Sequence, residues 1–180
     1  MDEIVKAAMA KWPNVPHCYG WLGLDARGQW WMRDDRTQAA GPFAGEGAHA
    51  ASRGVRLEHQ KLIAFIERNY GADEHGHWFF QNGPQRVYVE LEITPWVWRM
   101  EPSGGTVSHT GQAVQIEQWC TDERGLLLGQ SSQGWGVLHS MDMARWVEQT
   151  PLPEVNEVMW NRWYAQAGFH MSPQHRHQKA

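Results

Sequence analysis

Glu90 and Glu92 stand two positions apart in a stretch whose apolar residues alternate. An extended chain would carry both carboxylates on one face, roughly 6.5–7 Å apart, within the range used by carboxylate pairs in acid–base catalysis. Arg86 and Tyr88 share that face and could help hold a polar ligand or tune the pair. The plainer reading is the solvated side of a half-buried sheet. His75 and His77 have the same spacing just after a turn, so both rings could reach one ion. No third ligand is identifiable, and no metal site is expected. His175 and His177 sit in a polar tail, where they could bind stray ions without serving function.

Cys18 follows His17, but neighbours on a strand face opposite ways, so the two do not make a nucleophile pair. Cys120 precedes Thr121 and Asp122 at a turn and reads as a small packed apolar residue. Arginine outnumbers lysine twelve to four, which favours planar stacking on indoles and bidentate carboxylate pairs. The place to look for such stacking is Trp96-Val97-Trp98-Arg99. Its plainer reading is an aromatic core segment capped by an arginine. The chain contains no phosphate-loop pattern, no G-x-S-x-G elbow, no H-E-x-x-H and no G-x-G-x-x-G after a strand. No catalytic residue is assigned and no cofactor is expected.

These residues need elements to position them. From Arg86 the chain alternates, Val87, Val89, Leu91 and Ile93 on one side against Arg86, Tyr88, Glu90 and Glu92 on the other, which is a strand. Pro95 limits its extension and makes Trp96–Trp98 an edge or bulged segment. Val55, Leu62, Ile63, Phe65, Ile66 and Tyr70 fall on one helical face, with Gly71 at the capping position, so a helix is expected over 55–70. Residues 37–54 are rich in Ala and Gly without a period and read as a long flexible loop, a candidate lid. Residues 113–120 and 126–129 form a hairpin, with a further strand over 135–138. Helices are expected over 141–149 and 154–167, the latter ended by Gly168.

A D-x-x-G pattern recurs at Asp25–Gly28, Asp73–Gly76 and Asp122–Gly125, at intervals of 48 and 49 residues. Asp at the first position can hydrogen-bond the turn backbone and Gly at the fourth accepts positive φ. Each copy is followed by apolar or aromatic residues, so the pattern reads as a β-hairpin unit used two or three times.

A chain of 180 residues with 42% hydrophobic content can bury its own core without disulfides or a structural metal. A formal charge of −4 offers no basic excess for phosphate backbones, so nucleic acid is not an expected partner. The two cysteines form no disulfide framework and fit a reducing cytoplasm. The segment 1–12 lacks a basic n-region and an unbroken apolar run, so no secretion signal is expected, and no membrane span either. Twelve tryptophans against five Phe and four Tyr must build much of the core. Any that stand together at the surface would mark a binding site.

Asp73-x-x-Gly76-x-Trp78, followed by Val87, Val89, Glu90, Pro95 and Trp96, resembles an uncharacterised proteobacterial protein family built around D-x-x-G-x-W and V-x-V-E-x-x-P-F. The likeness lies mainly in residues 20–100. It departs at Leu91–Thr94, which lengthen the stretch before the proline, and in the extra tryptophans. The resemblance implies an α+β protein of repeated hairpin motifs, with a ligand-binding or regulatory role and no catalytic residues to carry over.

The expected fold is α+β, with repeated antiparallel β-hairpin units, one central helix and C-terminal helices. Its organisation is an N-terminal segment 1–18, a compact domain 19–171 with hairpin repeats near 19–70, 71–118 and 119–171, and a disordered tail 172–180. The expected function is a cytoplasmic small-ligand-binding or regulatory module using Tyr88, Glu90, Glu92, Trp96, Trp98 and Arg99 where repeats meet. Two other readings stand beside it. One is a hydrolase-like enzyme using the Glu pair on a hydroxylated substrate, and the other a protein-interaction module using exposed Trp and an edge strand. The partner is accordingly a small molecule or a protein, and the oligomeric state is open.

Overall fold

A computed structural model of the chain describes residues 1–149 and 151–174. Two compact units result: residues 1–25, 29–92 and 169 onward form the first, and 26–28 with 93–168 the second. Each is built on one sheet.

The first unit runs α1 (Glu3–Lys11), β1 (Cys18–Leu24), β2 (Trp30–Met32), α2 (Asp35–Ala40), α3 (Ala50–Arg53), β3 (Val55–Arg56), α4 (Gln60–Arg68), β4 (Tyr70–Ala72), β5 (Trp78–Asn82) and β6 (Gln85–Leu91). Its strands lie in the order β3-β2-β1-β6-β5-β4, antiparallel throughout except where β1 and β6 run parallel. The second unit runs β7 (Trp96–Met100), β8 (Thr106–Ser108), β9 (Ala113–Val114), β10 (Ile116–Asp122), β11 (Leu127–Ser131) and β12 (Gly134–Leu138). A 3-10 turn (Ser140–Asp142), α5 (Met143–Val147), β13 (Val155–Val158) and α6 (Trp160–Tyr164) complete it. Its order is β13-β10-β11-β12-β7-β8-β9, again with a parallel join, β7 to β12, between two antiparallel meanders, and with β13 added parallel to β10. Apart from the added β13, the second sheet repeats the strand order of the first. The fold is α+β with repeated hairpin units, as expected.

The recurring bend is a hairpin device. Asp25, Asp73 and Asp122 each donate the backbone N–H to the carbonyl four residues on, at 3.0, 2.9 and 3.2 Å. Their carboxylates in turn accept backbone N–H groups from inside the bend, Gln29, His75 with His77, and Arg124 with Leu126. Gly28, Gly76 and Gly125 take φ of +76°, +76° and +78°, which only glycine adopts without strain. Two further bends have the same backbone pattern with another first residue: Glu101 to Gly105 and Ser108 to Gln112.

Several expected elements end elsewhere. The central helix is shorter than 55–70: α4 starts after His59, whose Nδ1 accepts the Leu62 N–H. Val55 and Tyr70, whose side chains suit a pleated surface, are taken up as strand partners in β3 and β4. The expected last helix is half strand, since Val155–Val158 pairs parallel with β10 and only Trp160–Tyr164 is helical. Trp96–Trp98 is neither edge nor bulge; β7 lies between β12 and β8, and Trp98 is fully buried.

Residues 37–54 are pinned rather than open. Arg33, 1% exposed, donates from Nε to the Ser52 carbonyl at 2.9 Å, from Nη1 to Gly20 at 3.1 Å and from Nη2 to Gly41 at 2.6 Å. Phe43 lies flat against Gly23 of β1, where any Cβ would collide with its ring. Of the expected tail, residues 172–174 carry contacts, Gln174 donating its backbone N–H to Glu90. Residues 175–180, with His175 and His177, lie outside the described residues. Seven of the twelve tryptophans are buried, while Trp12 and Trp21 stand 51% and 41% exposed.

Candidate functional site

Three of the six expected site residues lie in the first unit and three in the second, and each already has partners. Tyr88 donates its hydroxyl to Asp73 at 3.2 Å and stacks on Tyr19 with ring centres 4.7 Å apart. His77 Nδ1 sits 3.3 Å from the same Asp73 oxygen. Burial pushes the Asp73 carboxyl up, but the backbone N–H groups of His77 and His75, the His77 ring and the Tyr88 hydroxyl outweigh it and hold it low.

Glu90 is 3% exposed, not solvated. It accepts from Gln174 and its charge faces the buried Arg33, opposing the fall that burial imposes on that guanidinium. Glu92 is gripped by Arg53 at 3.2 and 2.8 Å, and that guanidinium lies over the Trp31 ring at 4.9 Å. The two glutamates therefore face two different arginines.

In the second unit Trp96 and Trp98 stack 6.1 Å apart and donate their indole N–H groups to the Gln133 and Gly129 carbonyls, each at 2.9 Å. Arg99 turns away from them and donates to the buried Asp142 at 2.6 Å. Arginine stacking on aromatics does occur, at Arg53 on Trp31, Arg86 on Phe79 and Arg124 on Trp160. His77 packs against His170 and Tyr88. Among the described residues no group of three His, Cys, Asp or Glu side chains could hold a metal ion. Burial, with the Asp122 charge adding to it, pushes the Cys120 thiol up to about 11, so it stays protonated at neutral pH.

An apolar trough of about 260 Å³ lies in the first unit, between α4 and the sheet. Trp21, Leu22, Met32, Leu62, Phe80 and Val87 form much of its wall, and Cys18 and Asn82 add its polar groups. Its cause is local. Helix α4 seats through Ile66, 2% exposed, and through Phe65, whose ring stands edge-on to Phe80 at 5.4 Å; Leu62, a turn earlier, remains half-buried.

A second cause is a bulge in β1. Cys18 pairs with Val87 and Leu22 with Val89, so the register slips between them, around Gly20 at φ +79°. Adjacent residues of a regular strand face opposite ways, but the bulge re-aims Trp21 into the same trough as Leu22 and Cys18. Met32, on the neighbouring strand, is 48% exposed. Trp21, Leu22, Met32 and Phe80 did not stand out in the sequence, and Cys18, Leu62 and Val87 did so only for other roles. A helix that seats at one end, and a bulge, leave no periodic signature.

A search of curated proteins finds no match. Two solved structures are similar at low identity, and both are DUF1285 family proteins. The one from Shewanella baltica OS155 is 15% identical, covering 71% of this chain and 90% of its own, with a TM-score of 0.46. That from Silicibacter pomeroyi DSS-3 is 11% identical, covering 81% and 82%, with a TM-score of 0.47. A family model matches all of residues 1–180, which bears out the resemblance to an uncharacterised family. The chain belongs to the DUF2944 family, described as "Protein of unknown function (DUF2946)".

Proposed function

We propose that the protein is a cytoplasmic small-ligand-binding module whose first unit takes a small, mostly apolar molecule in the trough beside α4. The observation that carries this reading is the exposure of Trp21 and Met32, 41% and 48%, on the rim of an apolar depression. Large apolar groups left facing water on the wall of a concavity gain when a ligand covers them, at about 25 cal/mol per Å². A depression of about 260 Å³ suits a compact molecule rather than a helix or an extended peptide. The Cys18 thiol and Asn82 amide would orient a single polar end. Two free cysteines fit a reducing compartment, and no described helix is long and apolar enough to cross a membrane.

A thermal-shift screen of the full chain against small aromatic and aliphatic compounds tests this, because a ligand that prefers the folded state raises Tm. At least one compound should raise Tm and lose that effect in Trp21→Ala and Leu62→Trp, the first removing a wall and the second filling the space. Shifts that survive both substitutions, or no shift at all, would overturn the reading.

A second reading has its own observation. Val55, 74% exposed, lies on the edge strand β3 opposite Met32, so a partner strand could add to that edge beside Trp21. A concentration-dependent increase in mass by light scattering, abolished by Val55→Lys, would favour it over a small ligand.

A further inference from the structure

We infer that the second unit carries a separate site for a neutral, polyhydroxylated small molecule, in the cleft between the amide face of its sheet and α6. The cleft holds about 290 Å³, at the small end of ligand pockets, which suits one ring or a short polyol rather than a chain. Strand register assembles it: Gln118 of β10 pairs with Gln130 of β11, which pairs with Trp135 of β12, so the three form one row across the sheet. One step along β10, Cys120 faces Asn156 of β13. Helix α6 closes the other side with Trp163, and Gln166 follows it.

The lining fits hydroxyl groups and little else. An amide presents a donor and an acceptor, as a hydroxyl does, and four amides, Gln118, Gln130, Asn156 and Gln166, line the cleft. Gln118 donates from Nε2 to the Gln130 oxygen, which fixes both side chains and leaves the Gln118 oxygen to accept and the Gln130 amine to donate. Trp135 and Trp163 meet nearly at right angles, 83°, with ring centres 5.1 Å apart, and form apolar walls for the C–H face of a ring. Among the described residues no Asp, Glu, Lys, Arg or His lines the space. The Cys120 thiol on its floor stays protonated because burial pushes it to about 11. An anionic or cationic ligand would be partly desolvated there without a counter-charge.

Titration calorimetry on the full chain, with neutral monosaccharides and cyclic polyols against phosphorylated, carboxylated and amino counterparts, tests the inference. A neutral compound should bind with a Kd of about 10 mM or tighter. Trp135→Ala and Gln130→Leu should each weaken it about tenfold or more, and the exposed Trp12→Ser should leave it unchanged. Should Trp135→Ala fail to fold, Gln130→Leu decides. The inference is overturned if no neutral compound binds, if charged counterparts bind as tightly, or if binding survives the cleft substitutions. Because Trp21 and α4 take no part in this cleft, its outcome is independent of the trough in the first unit.

Discussion

The two units lay down one strand order and dress it differently. Between β2 and β3 the first unit inserts α2 and α3, and between β3 and β4 it inserts α4; the second joins β8 to β9 through residues 109–112 and β9 to β10 through Gln115 alone. In the first unit Glu90 and Tyr88 of β6 are buried, and an apolar trough remains where α4 seats incompletely. In the second unit a strand face remains available to Gln118 and Gln130, and the cleft above it is polar. The chemistry of each depression follows from what covers the sheet, not from the sheet's topology.

The comparison can be broken most forcefully at Arg33. Its guanidinium holds the Ser52 and Gly41 carbonyls of the inserted segment and the Gly20 carbonyl of β1, and it faces Glu90. Arg33→Met should cost about 3–5 kcal/mol, and hydrogen exchange should show the loss in the first unit. An equal loss of protection in β10–β12 would contradict two separately organised cores.

Acid should act next, and on the second unit first. The His109 ring is half-buried with its Nε2 out of water, and burial lowers its pKa to about 3, so it stays neutral when folded while the unfolded side chain takes a proton below about 6.5. Stability is then full above about pH 6.5 and falls by up to about 1.4 kcal/mol per pH unit toward pH 3. His109→Phe should flatten that slope. Asp73 acts in the same direction but at lower pH: its carboxyl is held low, so its contribution is complete above about pH 4 and disappears only as pH falls through the lower folded value. The exposed His17, lowered by partial burial and the Arg86 charge, adds little in the first unit. Denaturant titrations from pH 7.5 to 3.5 check the order.

The bends offer a smaller and symmetric test. Asp73→Ala and Asp122→Ala each remove a carboxylate that accepts two backbone N–H groups, and should cost about 1–2 kcal/mol apiece. Ser108→Ala removes a hydroxyl 3.3 Å from the Gln112 N–H and 2.8 Å from the Thr110 hydroxyl, and should cost about 0.5–1.5 kcal/mol. Loss of amide protection inside one bend but not inside the other would mean that the bends are not one device.

How much of this was readable in advance follows from range. Asp73 and Gly76 announce their bend because both residues act inside it; the bends that begin at Glu101 and Ser108 have the same backbone with another first residue, so the pattern passes over them. The alternation in β6 was legible, but not that Arg33, Phe43 and residues 169–174 would bury its polar side. Val155, Val158 and Met159 suit a helix at their spacing, and only the vacant edge of β10 makes the first two a strand. Neither depression was legible, since each arises between elements distant in sequence. The expected six-residue site was drawn on one continuous stretch, and the chain passes from one unit to the other between Glu92 and Ile93.

The most direct test of two chemically opposite sites on one strand order is the indole N–H spectrum of the uniformly 15N-labelled chain, titrated with an apolar hit and then with a neutral polyol. The account predicts that the apolar compound moves the Trp21 resonance and leaves Trp135 in place, and that the polyol does the reverse. Displacement of both resonances by either compound, or of neither by both, would contradict it.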